Sequence, residues 1–175
     1  MTAVEAYELT AQGGSTDFAR LIAACESFGP YCLIGGLAVN CYVEPVYTLN
    51  ADLVVFAASL PELTAHLEEQ GFKTEVHKHP VNVQAPGSEL RIQFTTDERY
   101  QPFPARSTDA NVLGVRVKVA CREDVAQGKL WAYGDPQRRL SKRKKDELDL
   151  IRLAEAYPEL KSLYPNELRE QLDRG

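Results

Sequence analysis

The sequence has little from which to build a membrane anchor, a disulfide scaffold or a zinc centre. No stretch approaches the roughly 18 apolar residues that a bilayer-spanning helix needs. The N-terminal MTAVEAYELTAQGG has no basic leader running into an apolar segment, so it does not read as a secretory signal. The four cysteines, Cys25, Cys32, Cys41 and Cys121, are scattered, with no C-x-x-C pair among them. They read as free thiols of a reducing, cytoplasmic setting rather than as metal ligands. His77 and His79 would share one face of a strand, but no third metal ligand accompanies them. An overall positive charge is missing too. The formal net charge is -5, so attraction to an anionic partner would have to come from a local patch.

What is present is an ordinary globular composition, 44% hydrophobic and 26% charged, in 175 residues. That length suits one domain with a substantial core. Residues 1–14 read as a flexible N-terminus and 15–175 as one domain. Within it, about 15–120 form an α/β core and 121–175 a helical appendage. Ser15 or Thr16 is expected to cap a first helix whose apolar stripe is Phe18, Leu21, Ile22 and Cys25. Tyr31–Ile34 and Asp52–Phe56 read as buried strands, with a helix start at Leu37–Tyr42 between them. Ser59-Leu-Pro-Glu62 has the capping-box spacing before a helix carrying Leu60, Leu63 and Leu67, stopped at Gly71. Strands are expected at Phe72–His77, Val81–Ala85 and Leu90–Thr95, and one long strand at Asn111–Ala120. Helices follow over Glu123–Tyr133 and Lys142–Glu155, with short pieces after Pro158 and Pro165. Tyr100 and Phe103 read as packed aromatics of a loop. This order predicts an α+β domain, a mixed sheet covered by helices.

The segment with chemical content is Leu33-Ile-Gly-Gly-Leu-Ala-Val-Asn40, followed by Tyr47-Thr-Leu-Asn-Ala-Asp-Leu-Val-Val55. A strand runs into Gly35-Gly36 and then a helix; Thr-x-Asn-x-Asp leads into an apolar strand about a dozen residues on. Two glycines let backbone approach a phosphate closely, and the N–H groups of a following helix would face the anion. Residues 50 and 52 are two apart on a strand and share a face. Carboxylates there could bind Mg²⁺, neutralise phosphate and orient an attacking hydroxyl.

These motifs resemble the nucleotidyltransferase superfamily, whose signature is Gly-Gly or Gly-Ser followed by Asp-x-Asp. More specifically, the chain is similar to the minimal bacterial branch near the AbiE-type toxin nucleotidyltransferases. The resemblance covers about residues 30 to 157 and includes Lys129 in Gln-Gly-Lys-Leu-Trp131 and Asp146 in Arg143-Lys-Lys-Asp-Glu-Leu-Asp149. It implies Asp52, Lys129 and Asp146 as catalytic residues, with Gly35, Gly36, Thr48, Asn50 and Arg143 holding the nucleotide. Mg²⁺ or Mn²⁺ would sit on Asp52 and Asn50. The implied reaction moves a nucleoside monophosphate from an NTP to a hydroxyl of RNA, protein or a small molecule. A cognate antitoxin-like partner goes with the toxin-type branch.

The departures are specific. Asn50 stands where the first signature aspartate belongs, and Gln93 where many members carry a third carboxylate, a position the toxin-type branch uses less. Two other functions therefore stay open. One is an inactive member of the fold that binds nucleotide, RNA or a protein. The other is an RNA-binding module built on Arg138–Lys145, six cations in eight residues at a helix start. Asp146 and Asp149 would then simply pair with Lys142 and Lys145.

Overall fold

A computed structural model describes residues 12–76 and 80–175. The flexibility expected of the first residues and the His77/His79 pair lie outside them, except for the few N-terminal residues from Gln12 on. The first helix, α1 (Gly14–Ser27), buries the predicted stripe of Phe18, Leu21, Ile22 and Cys25. Its cap differs from expectation. Gly13, at φ 90°, occupies the N-cap position, so the helix begins just ahead of Ser15 and Thr16. Then come β1 (Tyr31–Ile34), the five-residue α2 (Gly35–Val39) and β2 (Asn50–Val55). Next is α3 (Leu60–Glu69), with Pro61 in its first turn. The capping box predicted there does not form. Ser59 is itself in helical conformation, and its side chain makes no cap hydrogen bond.

β3 (Lys73–Val76), β4 (Val81–Gln84) and β5 (Arg91–Thr95) follow. The single strand expected over Asn111–Ala120 is instead a hairpin of β6 (Thr108–Val112) and β7 (Val115–Val119). Its two-residue turn holds Leu113 at φ 52° and Gly114 at φ 81°, the double left-handed conformation that matches strand twist. The chain finishes with α4 (Arg122–Tyr133), α5 (Leu140–Ala156), a 3₁₀ segment Pro158–Leu163 and α6 (Asn166–Arg174).

The described strands form one mixed sheet of order β3-β4-β5-β2-β1-β7-β6. β2 runs antiparallel to β1 and parallel to β5, and β1 runs parallel to β7. Alternation sorts the two faces. Ala51, Leu53, Val81, Val83, Ile92 and Phe94 are buried, and with Phe18 and Leu21 of α1 and Leu63 and Leu67 of α3 they make one apolar core. The opposite face of the same strands is polar, and its rows are in register. Glu75 pairs with Asn82, Asn82 with Gln93 and Gln93 with Asp52; beside them Arg91 pairs with Asn50. The predicted α+β architecture is the one observed. No helix of the described residues is long and apolar enough to cross a membrane, and all four cysteines are free.

Candidate active site

Asp52 stands at the centre of the polar sheet face. Its carboxylate makes no hydrogen bond and no ion pair with any described residue, although Lys129, Arg138 and Lys142 all act on it electrostatically. Burial pushes this carboxyl above the ordinary carboxylate range; the three cations oppose that shift without cancelling it. The position depends on Gly35. A Cβ on Gly35 would lie 2.2 Å from Asp52 Oδ2, and Gly35 adopts φ +71°. The space freed by this glycine is thus taken by the Asp52 carboxylate. Gly36 only meets the Thr48 side chain at ordinary contact distance, 3.6 Å. α2 has five residues, so it offers an anion little of the dipole that the sequence reading assigned to it. Gly35→Ala combines a left-handed backbone with a clash against Asp52. It is expected to cost about 2–4 kcal/mol in urea unfolding, whereas Gly36→Ala should be nearly silent.

Two cavities meet at this carboxylate. The smaller, about 260 Å³, runs past Ile34 and Gly35 to Tyr100, Lys129 and Asp146. The larger, about 500 Å³, lies over the polar sheet face, between Asn50, Arg91, Lys73 and Lys142. Asp52, Gln93 and Arg138 line both. Gly36, Thr48 and Arg143 line neither. Thr48 is buried, and its hydroxyl accepts a hydrogen bond from the Asn50 N–H at 3.2 Å, shaping the turn into β2.

Lys129 and Asp146 come together as the sequence order suggested, though in a way it did not show. The Lys129 ammonium lies 3.0 Å from Asp146 Oδ1 and 2.7 Å from Asp149 Oδ2. All three side chains are buried, with Asp146 only 1% exposed. Burial alone would pull the lysine pKa down; Asp149 and Asp146 overcome it and hold the ammonium above the ordinary range. Asp149 also binds Arg152 at 2.9 Å. Asp146 receives Arg138 Nε at 2.7 Å, which fixes that guanidinium at the mouth of both cavities. The pairing of Asp146 and Asp149 with Lys142 and Lys145 is therefore replaced by pairing with Lys129, from the neighbouring helix α4.

This geometry breaks up the basic run. Arg138 and Lys142 turn toward Asp52, Lys144 pairs with Glu147 at 2.7 Å, and Arg143 is half-buried with its Nε unsatisfied. Arg139 and Lys145 remain exposed. Sequence reasoning assigned Arg138 and Lys142 to an RNA patch and missed their place in the cleft. Spacing carried no signal for this, because Arg138 lies ahead of α5 and its direction is set by Asp146. Tyr100 and Phe103 pack with Trp131, their centroids 4.9 and 5.9 Å from the indole, and Tyr100 also forms cavity wall.

The donor set does not fit a protein-held Mg²⁺ or Mn²⁺. Asp52 is the single carboxylate among the three positions. Asn50 is an amide, and Gln93 Nε2 donates to Asn82 Oδ1 at 3.0 Å, so that amide is already engaged. Among the described residues, no three His, Cys, Asp or Glu side chains converge on a metal-sized site. Arg138 and Lys142 line the same cavity as Asp52 and Asn50.

No family model matches the sequence, and no curated protein does. Solved structures do. The antibiotic-resistance factor ANT(2'')-Ia in solution superposes with a TM-score of 0.58 at 16% identity, over 93% of this chain and 90% of that one. Its crystal structure in complex with adenylyl-2''-tobramycin gives 0.54 at 15% identity, over 86% and 98%. An antigenic nucleotidyltransferase-like protein from Paracoccidioides brasiliensis gives 0.54 at 18% identity, over 91% and 92%. The chain has the nucleotidyltransferase fold.

Proposed function

We propose that the cleft transfers a nucleoside monophosphate from an NTP to a hydroxyl acceptor on RNA, protein or a small molecule. The observation that carries this reading is Asp52, an unpartnered and partly buried carboxylate at the junction of two cavities, faced by Arg138 and Lys142. In this reading the acceptor hydroxyl attacks the α-phosphorus, forming the new O–P bond. The bond from that phosphorus to the bridging oxygen breaks, and pyrophosphate leaves. Asp52 takes the hydroxyl proton. Its raised pKa makes it a stronger base than an exposed aspartate. Arg138 offers a planar fork to phosphate oxygens and Lys142 a point charge, both neutralising the leaving group. Asp146 is a positioning residue that aims Arg138. Lys129 serves the site through Asp146, since its own charge is taken up by two carboxylates. Mg²⁺ or Mn²⁺ is assigned no step.

A radiolabelled NTP incubated with the protein and with cellular RNA, protein or small-molecule extract tests this, in Mg²⁺, in Mn²⁺ and in EDTA. Label is expected to appear in an acceptor. No label in any acceptor under any condition would overturn the transfer reading. The toxin-type resemblance would then leave a second reading: a nucleotide- or partner-binding member of the fold without transfer. Asn50 and Gln93, amides at two signature carboxylate positions, favour that alternative.

A further inference from the structure

We infer that this cleft binds the phosphates of a nucleotide without a divalent cation, the metal's charge being replaced by arginine and lysine side chains of the protein. The inference rests on the nucleotide reading above and concerns how that nucleotide is held.

Three observations converge on it. First, the larger cavity is rimmed by four cations, Lys73, Arg91, Arg138 and Lys142, against two carboxylates, Asp52 and Glu75. Lys73, Arg91 and Lys142 have no ion-pair partner among the described residues, so their charge is available to a ligand. A solvated sheet face has no need to gather unpaired cations over a cavity, where they repel one another. That repulsion is visible at Lys142, whose ammonium is held below its ordinary range by burial and by Lys145, Arg138 and Arg139. An anion in the cavity would relieve it.

Second, two of the three signature positions on this floor, Asn50 and Gln93, are neutral hydrogen-bonding amides, and Gln93 is held in place. The register puts Asn50 beside Arg91 and Asp52 beside Gln93. Gln93 is tied to Asn82, its neighbour across β4. Amides on this floor can meet phosphate oxygens through their N–H groups, whereas carboxylates would repel phosphate unless a metal stood between. The replacement of carboxylate by amide and the presence of unpaired cations are two halves of one change in charge.

Third, the cavity has room. At about 500 Å³ it lies within the ~300–1,000 Å³ range of small-molecule sites. Arg138 is pre-set by Asp146, so little side-chain freedom is lost on binding.

Calorimetric titration of the full chain with each of the four NTPs and with inorganic tripolyphosphate, in EDTA and in Mg²⁺, tests the inference. Affinity for the preferred NTP in EDTA is expected to equal that in Mg²⁺ within about threefold, with tripolyphosphate binding in EDTA too. Lys142→Gln and Arg91→Gln should each weaken NTP binding about tenfold in EDTA, without lowering thermal stability, because neither side chain has an ion-pair partner to lose. Asn50→Asp/Gln93→Glu should abolish binding in EDTA and restore it in Mg²⁺. NTP binding that requires Mg²⁺ in the wild-type chain would overturn the metal-free inference and leave the nucleotide reading standing. Binding of no NTP in either buffer would overturn both.

Discussion

Asp52→Asn is expected to lower nucleotidyl transfer by at least about 100-fold, the ordinary worth of a positioned general base, while making the fold more stable at neutral pH. The two effects have one origin. The wild-type carboxyl stands against the Gly35 backbone with no hydrogen-bond or ion-pair partner among the described residues, and burial disfavours its charge. The native state therefore keeps this proton to higher pH than the unfolded chain does. Native protein binds more protons across that window, so stability falls as pH rises through it. Above the window the ionised Asp52 carries a constant cost. The amide fills the same space without a charge, so the variant's unfolding temperature should exceed the wild type's at pH 7. The two should converge below about pH 4, where the carboxyl is protonated in both states. Transfer and stability measured on the same preparations check this. A variant that is less stable at pH 7 would mean that Asp52 has a structural partner. A variant with full transfer would remove Asp52 from the chemistry.

That pairing of lost activity with gained stability could not be read from the sequence, although Asp52 itself could. Gly-Gly followed by Thr-x-Asn-x-Asp placed Asp52 at a strand start, and period-two alternation put residues 50 and 52 on one face. The isolation of the carboxylate is a three-dimensional fact. It depends on Gly35 giving way at φ +71° and on Arg138, which faces the cleft, giving its hydrogen bond to Asp146. Strand and helix content was legible wherever periodicity was clean, as in α1 and β5. It failed at Asn111–Ala120 because Val115, Val117 and Val119 alternate well and Leu113 is no turn former. Leucine at φ 52° is tolerated there because the following Gly114 shares the left-handed turn. Helix caps failed for a related reason. Ser59 and Glu62 have the right spacing, yet the chain enters α3 already in a turn, with Ser59 N–H bonded to Phe56 O, so the box has no extended residue to start from. The basic run was visible as composition only. Which of its cations face the cleft was decided by where α5 starts and how it docks on α4.

That docking is held by Lys129, and Lys129→Met is expected to cost about 3–5 kcal/mol in chemical denaturation, the usual penalty for leaving buried charge without its counter-ion. Methionine matches the lysine stem in volume and leaves no cavity, so the loss is electrostatic. Asp146 keeps Arg138 and Asp149 keeps Arg152, but each buried carboxylate loses its contact with the ammonium between them. Removing one orphaned acid should return part of the loss. Lys129→Met/Asp149→Asn is expected to be more stable than Lys129→Met alone, a non-additivity that identifies the pair as coupled rather than merely adjacent. The pH dependence has a definite sign. The folded-state pKa of Lys129 lies above its unfolded value, since Asp149 and Asp146 outweigh burial. Its contribution is complete below about pH 10 and is lost only as pH rises through the raised folded value. The gap between wild type and Lys129→Met should thus be constant from neutral pH upward and close only in strong alkali. If Lys129→Met unfolds at the wild-type denaturant concentration, the buried cluster is not what joins α4 to α5, and the positioning role given to Asp146 fails with it.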